Sequence, residues 1–279
     1  MISGQTRLAG IMGWPVSHSR SPRLHGYWLA QYGIDGAYLP FPVRPEHLAD
    51  ALKALPKLGI SGVNLTIPHK EAALAHLDQI EPRARLIGAV NTIIVEKDGR
   101  LSGSNTDIEG FCASVLASGA VLAANHPAVI IGAGGAARAV IAALGALGFH
   151  RIRIVNRTGA RTDALIKDLT PLGLELIAVP WETRAAALAE AGFLVNTTSL
   201  GMKGEPPLDL DLGPLPKTAV VTDIVYAPLE TPLLAAARAR GLFAIDGLGM
   251  LLHQARPGFK AWFGIDPAVT DALRAHVLG

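Results

Sequence analysis

The chain has 279 residues, half of them hydrophobic and 17% charged, which excludes a disordered chain and leaves room for two cores. Its net charge is +2 and its arginines are scattered, so it lacks the basic run that would mark a nucleic-acid footprint. Cys112 is the single cysteine, which rules out an internal disulfide or a thiolate metal cluster.

Met1-Ile2-Ser3-Gly4 carries no charged-then-apolar leader, so a cytoplasmic protein is expected. Arg7 to Met12 reads as a first strand, followed by Ser21-Pro22, a helix start in which serine can cap and proline forfeits no hydrogen bond. The helix runs to about Tyr32 and stops at Gly33. Ser19 and Ser21 read either as caps or as two hydroxyls making a small anion site at a helix N-terminus. A second strand is expected over Ala37 to Val43, a helix over Pro45 to Leu55, and a third strand over Ser61 to Ile67. That strand closes at Pro68-His69-Lys70, the mouth of a helix ending near Leu77. Lys70 stands out because a cation at a helix N-terminus opposes the dipole. His69 has no partner at metal-ligand spacing and reads as structural.

Ile93 to Glu96 is a strand that turns at Lys97-Asp98-Gly99. Asn105, Thr106 and Asp107 precede a helix opening at Ile108, and Asn105 and Thr106 read as its caps. In a parallel sheet Asp107 would lie near the same strand ends as Lys70, as a carboxylate beside an ammonium. From Gly110 to Ala137 there is no Asp, Glu, Lys or Arg, but Asn125-His126-Pro127 breaks the run below the roughly 18 apolar residues of a membrane span.

Val129-Ile130-Ile131 then meets a glycine cluster and a helical run from Ala136 to Leu147. Gly132, Gly134 and Ala137 match G-x-G-x-x-[G/A], where the first glycine makes the turn, the second bares backbone to a pyrophosphate, and the small third residue lets helix and strand pack. A following strand, Ile152 to Val155, completes a βαβ unit for a dinucleotide. Its end carries Asn156, Arg157, Thr158 and Arg161 where an acidic residue would hold a ribose hydroxyl. Two guanidiniums and a hydroxyl fit a 2′-phosphate, which favours NADP over NAD. Further strands are expected at Leu174 to Val179, Phe193 to Thr197, Ala219 to Val225 and Phe243 to Ile245. They are followed by a helix over Gly249 to Phe263, with a break near Pro257, and by a last helix from Asp266-Pro267 to Val277. The alternation is that of a doubly wound sheet.

With these pieces placed, the chain resembles the shikimate dehydrogenase family over essentially its whole length. The resemblance rests on ordered motifs: Ser17-His18-Ser19-Arg20-Ser21-Pro22, Asn64-Leu65-Thr66-Ile67-Pro68-His69-Lys70, Ala89-Val90-Asn91-Thr92, Asn105-Thr106-Asp107 and Gly132-Ala133-Gly134-Gly135-Ala136. Asn156-Arg157-Thr158, Asn196-Thr197-Thr198-Ser199-Leu200-Gly201-Met202, Asp223-Ile224-Val225-Tyr226 and Gly247-Leu248-Gly249-Met250 with Gln254 follow in turn. It implies an α/β protein of two domains: an N-terminal α/β substrate domain, 1–107, completed by C-terminal helices in 247–279, and a Rossmann-like NADP-binding domain, 108–246. It also implies NADPH-dependent reduction of 3-dehydroshikimate to shikimate in aromatic amino acid biosynthesis.

By family motif Lys70 and Asp107 are the catalytic pair, and Ser19 and Ser21 hold the substrate carboxylate. Thr66, Asn91, Tyr226 and Gln254 contact its ring hydroxyls or surroundings. Gly132, Ala133, Gly134, Gly135, Ala136, Asn156, Arg157, Thr158 and Arg161 bind the cofactor, while Ile224 and Gly247 lie near the nicotinamide. No metal is implied. The expected partners are the small-molecule substrate and NADP, with neither nucleic acid nor membrane, in a monomer or homodimer. Trp14, Pro15 and Arg256-Pro257-Gly258 depart from the family pattern. The rival readings are a quinate/shikimate dehydrogenase of broader substrate or cofactor range and a non-catalytic NADP-sensing protein. A methylene-tetrahydrofolate dehydrogenase suits the paired serines and the Asn-Thr-Asp segment less well.

Overall fold

In the computed structural model, which describes residues 2–279, the chain divides into two units. One runs through Thr106 and is completed by Leu251–Gly279; the other is Asp107–Met250. Met1, part of the stretch read for a leader, lies outside the described residues. No helix among the described residues is long and apolar enough to cross a membrane.

The first unit is built on β1 (Arg7–Gly13), α1 (Ser21–Gln31), β2 (Gly36–Pro42), α2 (Leu48–Ala54) and β3 (Ile60–Leu65). The chain continues through α3 (His69–Ala72), β4 (Gln79–Ile80), α4 (Pro82–Ile87), β5 (Thr92–Val95) and β6 (Leu101–Ser104). The sheet order is β2-β1-β3-β5-β6-β4. It is mixed: β1 is parallel to β2 and β3, whereas β5 runs antiparallel to β3 and β6. The expected hairpin at Lys97-Asp98-Gly99 joins β5 to β6, with Gly99 at φ +85° and the Asp98 carboxylate accepting from the Arg100 N–H at 3.1 Å. A core of Leu52, Val63, Leu65, Ile93 and Leu101 packs on the sheet. On α1, His25 stacks on Tyr38 with ring centroids 3.9 Å apart and meets Trp28, Phe259 and Trp262. Burial drives the His25 pKa down to about 3, so it packs as a neutral aromatic ring.

Several expected boundaries move. Pro45–His47 forms a 3₁₀ turn before α2, and the helix expected to reach Leu77 is the four-residue α3 followed by a 3₁₀ turn over Ala73–His76. α4 and the two-residue β4 lie outside the expected elements, because a six-residue helix and so short a strand show no readable period.

The second unit carries α5 (Asp107–Ala117), β7 (Ala128–Ile131), α6 (Gly135–Ala146), β8 (Arg151–Val155), α7 (Gly159–Leu169) and β9 (Glu175–Val179). Then come β10 (Phe193–Asn196), β11 (Val220–Asp223), α8 (Pro232–Ala239) and β12 (Phe243–Ile245). The sheet is parallel throughout, in the order β12-β11-β10-β7-β8-β9. Read from β9 to β12, this is the doubly wound dinucleotide-binding order, and it reverses between β7 and β10, where such sheets open a crevice at their carboxyl edge. Val129, Ile130, Ile131, Phe193, Leu194 and Val195 are all inaccessible, as strands covered on both faces require.

α9 (Leu248–Phe263) begins in the second unit and continues in the first. It does not break at Pro257, as expected, but passes through it. The last helix, α10 (Asp271–Leu278), begins after Asp266-Pro267, because Thr270 caps it by accepting from the Leu273 N–H at 3.2 Å. Asp266 is held by Arg256 at 2.9 Å instead.

Candidate functional site

In the first unit the loops leaving β1 and β3 lie side by side. The Trp14 N–H donates to the Ile67 carbonyl at 3.0 Å, and the Thr66 N–H to that of Met12 at 2.9 Å. A Cβ on Gly13 would fall 2.4 Å from the Thr66 methyl, so glycine lets the two loops meet. Ser21 does not cap α1: Arg20 precedes the helix, no side chain caps it, and Ser21 sits buried in its first turn. The Ser21 N–H donates to the Ser19 hydroxyl at 3.2 Å. Both serines therefore stand at a helix N-terminus whose dipole favours an anion.

Thr66 and Lys70 follow β3, each half-buried, and the Lys70 carbonyl accepts from the Val90 N–H at 2.8 Å. That bond sets the Lys70 backbone beside the segment that leads through Asn91 into β5. His69 is buried and donates through Nε2 to the Val43 carbonyl at 2.8 Å, a structural tie.

Asn91 is the centre of a buried polar chain. Its Oδ1 accepts from the Thr106 N–H at 2.8 Å, and its Nδ2 donates to Thr106 Oγ1 at 3.1 Å and to Gln254 Oε1 at 3.3 Å. Asn64 supports it from β3: Nδ2 donates to the Asn91 carbonyl at 3.2 Å and to Thr92 Oγ1 at 3.0 Å, while Oδ1 accepts from the Tyr38 hydroxyl at 2.6 Å. Asn91, Thr106 and Gln254 are thus brought together, and the peptide following Thr106 is that of Asp107, 4% exposed. Thr106 and Asn105, read as caps of α5, also bind other segments: Thr106 is tied to Asn91, and Asn105 Nδ2 donates to the Ala89 carbonyl at 3.0 Å. Asn64 and Thr106 are not among the site residues expected from sequence. The available signal is Asn64, an amide between Val63 and Leu65 in a buried strand, two residues before Thr66.

In the second unit the loops at the carboxyl edge of the sheet hold the remaining expected residues. Gly132 takes φ +111°, and a Cβ there would fall 2.7 Å from Thr197 Oγ1, so only glycine makes this turn. Gly134 precedes α6, no side chain caps that helix, and a Cβ at 134 would meet nothing within 4 Å. Open space over a bare helix N-terminus is where a pyrophosphate fits. Ala133, Gly135 and Ala136 flank it, each partly exposed.

After β8, Asn156 Nδ2 donates to the Thr158 carbonyl at 3.0 Å and shapes the entry to α7. Thr158 precedes α7 without capping it, and no acidic residue lies in the first turn. Arg157, Thr158 and Arg161 are exposed there, whereas Arg138, Arg151, Arg184 and Arg238 of the same unit are each ion-paired. The residues present fit NADP: two uncapped helix starts for phosphates, with cations at the second.

Ile224 follows β11 and Gly247 follows β12. A Cβ on Gly247 would come within 2.4 Å of the Ile224 carbonyl oxygen, so these two segments touch through bare backbone. Tyr226 is half-buried two residues on. Asp223, just before them, is buried, and that burial pushes its pKa up to about 6 against hydrogen bonds from Val225, Thr231 and Asn196.

Three families match along the chain. Residues 11–93 match one described as shikimate dehydrogenase substrate binding domain, 117–201 one described as shikimate / quinate 5-dehydrogenase, and 247–278 one described as shikimate 5′-dehydrogenase C-terminal domain. A curated protein of Rhodospirillum rubrum, named shikimate dehydrogenase (NADP(+)), is 59% identical over 100% of this chain and 99% of its own length. A shikimate 5-dehydrogenase of Thermus thermophilus, solved in complex with NADP(H) and shikimate, is 38% identical, covers 98% of each chain and superposes with a TM-score of 0.85. A quinate dehydrogenase of Corynebacterium glutamicum, solved in complex with NAD, is 32% identical over 98% of this chain and 99% of that one, with a TM-score of 0.89.

Proposed function

The chain belongs to the shikimate dehydrogenase family, and we propose from that premise that it interconverts 3-dehydroshikimate and shikimate with NADP as its redox partner. NADPH, when bound, supplies the hydride that arrives at the ketone carbon. Negative charge then develops on the ketone oxygen, and Lys70 stabilises it by donating a hydrogen bond and delivers the proton that completes the hydroxyl. In the reverse direction Lys70 takes that proton back. Asp107 accepts a hydrogen bond from a neighbouring hydroxyl and orients the reacting groups. Ser19 and Ser21, at the uncapped start of α1, take the substrate carboxylate. Thr66, Asn91, Tyr226 and Gln254 read the ring hydroxyls, and Asn64 and Thr106 hold Asn91 in place. A substrate lacking a hydroxyl leaves such buried groups unpaired, which is the basis of discrimination.

The first unit is the substrate domain and the second the cofactor domain. The observation that carries the cofactor half is the pair of uncapped helix starts, α6 beneath Gly134 and α7 beside exposed Arg157 and Arg161. Gly132, Ala133, Gly134, Gly135 and Ala136 take the pyrophosphate; Asn156, Arg157, Thr158 and Arg161 take the adenosine and its 2′-phosphate; Ile224 and Gly247 flank the nicotinamide. The place of action is the cytoplasm, where a lone thiol such as Cys112 stays reduced, and the working form is a monomer or homodimer.

The test is nicotinamide absorbance with purified protein in four mixtures, shikimate or quinate with NADP or NAD. Reduction confined to shikimate with NADP is expected. Comparable rates with quinate or with NAD would move the assignment to a broader-specificity relative. No reduction with NADP still bound would favour the sensor.

A further inference from the structure

At the carboxyl ends of β10 and β11, one buried carboxylate gathers three donors. Asp223 is 1% exposed. Its Oδ1 accepts from Asn196 Nδ2 and from the Val225 N–H, each at 3.0 Å, and its Oδ2 accepts from the Thr231 hydroxyl at 2.8 Å. Asn196 and Thr231 are inaccessible. Each of them binds its own segment in turn. Asn196 Nδ2 donates to the Leu200 carbonyl at 3.0 Å, and its Oδ1 accepts from the Thr198 N–H at 3.0 Å and the Thr198 hydroxyl at 2.7 Å. Thr231 precedes α8 and accepts from the Leu234 N–H at 3.4 Å. The Ile224 N–H, between these anchors, donates to the Asn196 carbonyl at 3.1 Å.

The segment from Ile224 to Thr231 is therefore clamped at both ends by one side chain. It carries Ile224 and Tyr226, and it is the segment whose backbone approaches Gly247 too closely for a Cβ. We infer that Asp223 is the positioning residue for the nicotinamide end of the cofactor, holding Ile224 and Tyr226 in register with Gly247. The inference rests on the NADP reading above. What the position demands is acceptor geometry: two oxygens facing three donors. An asparagine there keeps Oδ1 for Asn196 and Val225 and turns Nδ2 toward the Thr231 hydroxyl, which has lone pairs for it and for the Leu234 N–H. An alanine leaves the Val225 N–H and the Thr231 hydroxyl buried without this acceptor, and leaves Asn196 Nδ2 only its bond to the Leu200 carbonyl.

The experiment compares Asp223→Ala and Asp223→Asn with the unsubstituted protein in kcat and KM for NADP, and in affinity for NADP and for adenosine 2′,5′-bisphosphate. The latter is the cofactor's adenine end without the nicotinamide. Asp223→Ala is expected to lower kcat/KM for NADP by about tenfold to a hundredfold, the scale of a misplaced reacting group, with bisphosphate affinity unchanged. Asp223→Asn is expected to retain activity within about twofold, since it remakes the contacts. Unchanged kcat/KM in the alanine variant, an equal loss of bisphosphate binding, or an asparagine variant as impaired as alanine would each overturn the inference. If Asp223→Ala fails to fold, Thr231→Val removes the Oδ2 contact together with the Leu234 N–H cap of α8, and Thr231→Ser, which keeps both, is the control. A several-fold loss of kcat/KM in the valine variant with intact bisphosphate binding, and none in the serine variant, is expected, and no loss in the valine variant overturns the inference. If the unsubstituted protein shows no activity, the functional reading fails by itself. NADP affinity measured against bisphosphate affinity then still decides the positioning role.

Discussion

Lys70 sits in a helix only four residues long, a single turn too short for its charge to gain from a backbone dipole. A residue held there for its chemistry should cost little fold when removed and much rate. Lys70→Met is expected to lower kcat by about 10² to 10⁴-fold, the usual worth of a positioned acid–base group, with melting temperature and NADP affinity held. Steady-state kinetics beside a cofactor titration reads both, and lost cofactor binding in a folded variant would contradict the assignment. Asp223 makes the complementary case. Its folded pKa, about 6, lies above the ordinary carboxylate value, so the folded state binds the proton more tightly than the unfolded one. The stability it contributes is complete below the ordinary value and is lost as pH rises through about 6. In Asp223→Asn that dependence disappears. Urea unfolding at pH 5 and pH 8 should show the difference between variant and unsubstituted protein moving in the variant's favour at pH 8, by about 1 kcal/mol. A constant difference would contradict the burial account.

Among the elements, the start of α7 bears most on function. Two exposed arginines at an uncapped helix N-terminus are unfavourable until a phosphate arrives between them. Replacing Arg157 and Arg161 by alanine should raise KM for NADP by about tenfold or more, as expected for charged hydrogen bonds, and leave KM for NAD nearly unchanged. An unaltered NADP/NAD ratio would sink the 2′-phosphate role. This element was legible in the sequence because local signals converge there: a strand rich in β-branched residues, Asn156 at its end in place of an acidic residue, and a cationic helix start. Where local signals compete, sequence reading faltered. Ser21-Pro22 has the form of a capped start, yet the helix begins at Ser21 itself and leaves Ser19 to meet its N–H. Pro257 should break α9, but the helix continues to Phe263, with Phe259 and Trp262 locked into the aromatic cluster of the first unit. Tertiary packing outweighs one missing N–H.

At the scale of the whole molecule, the order of motifs along the chain was readable, as was the alternation that makes the second unit's parallel sheet. What stayed hidden is what joins residues far apart in the chain. The mixed order of the first sheet depends on β5 inserting beside β3, and no periodicity encodes that. The same holds for the buried chain from Tyr38 through Asn64 and Asn91 to Thr106 and Gln254, whose members are separated by up to 163 positions between hydrogen-bonded partners. Sequence presents these as isolated amides and hydroxyls; only the fold shows them holding one another in place.

We propose that this chain moves a hydride between the substrate's carbinol carbon and NADP, with Lys70 handling only the proton. Shikimate carrying deuterium at that carbon tests it most directly, with the reduced cofactor examined by mass spectrometry. The deuterium is expected on the nicotinamide ring, with none in the solvent. Deuterium released to water, or shikimate left unoxidised while NADP is bound, would contradict it.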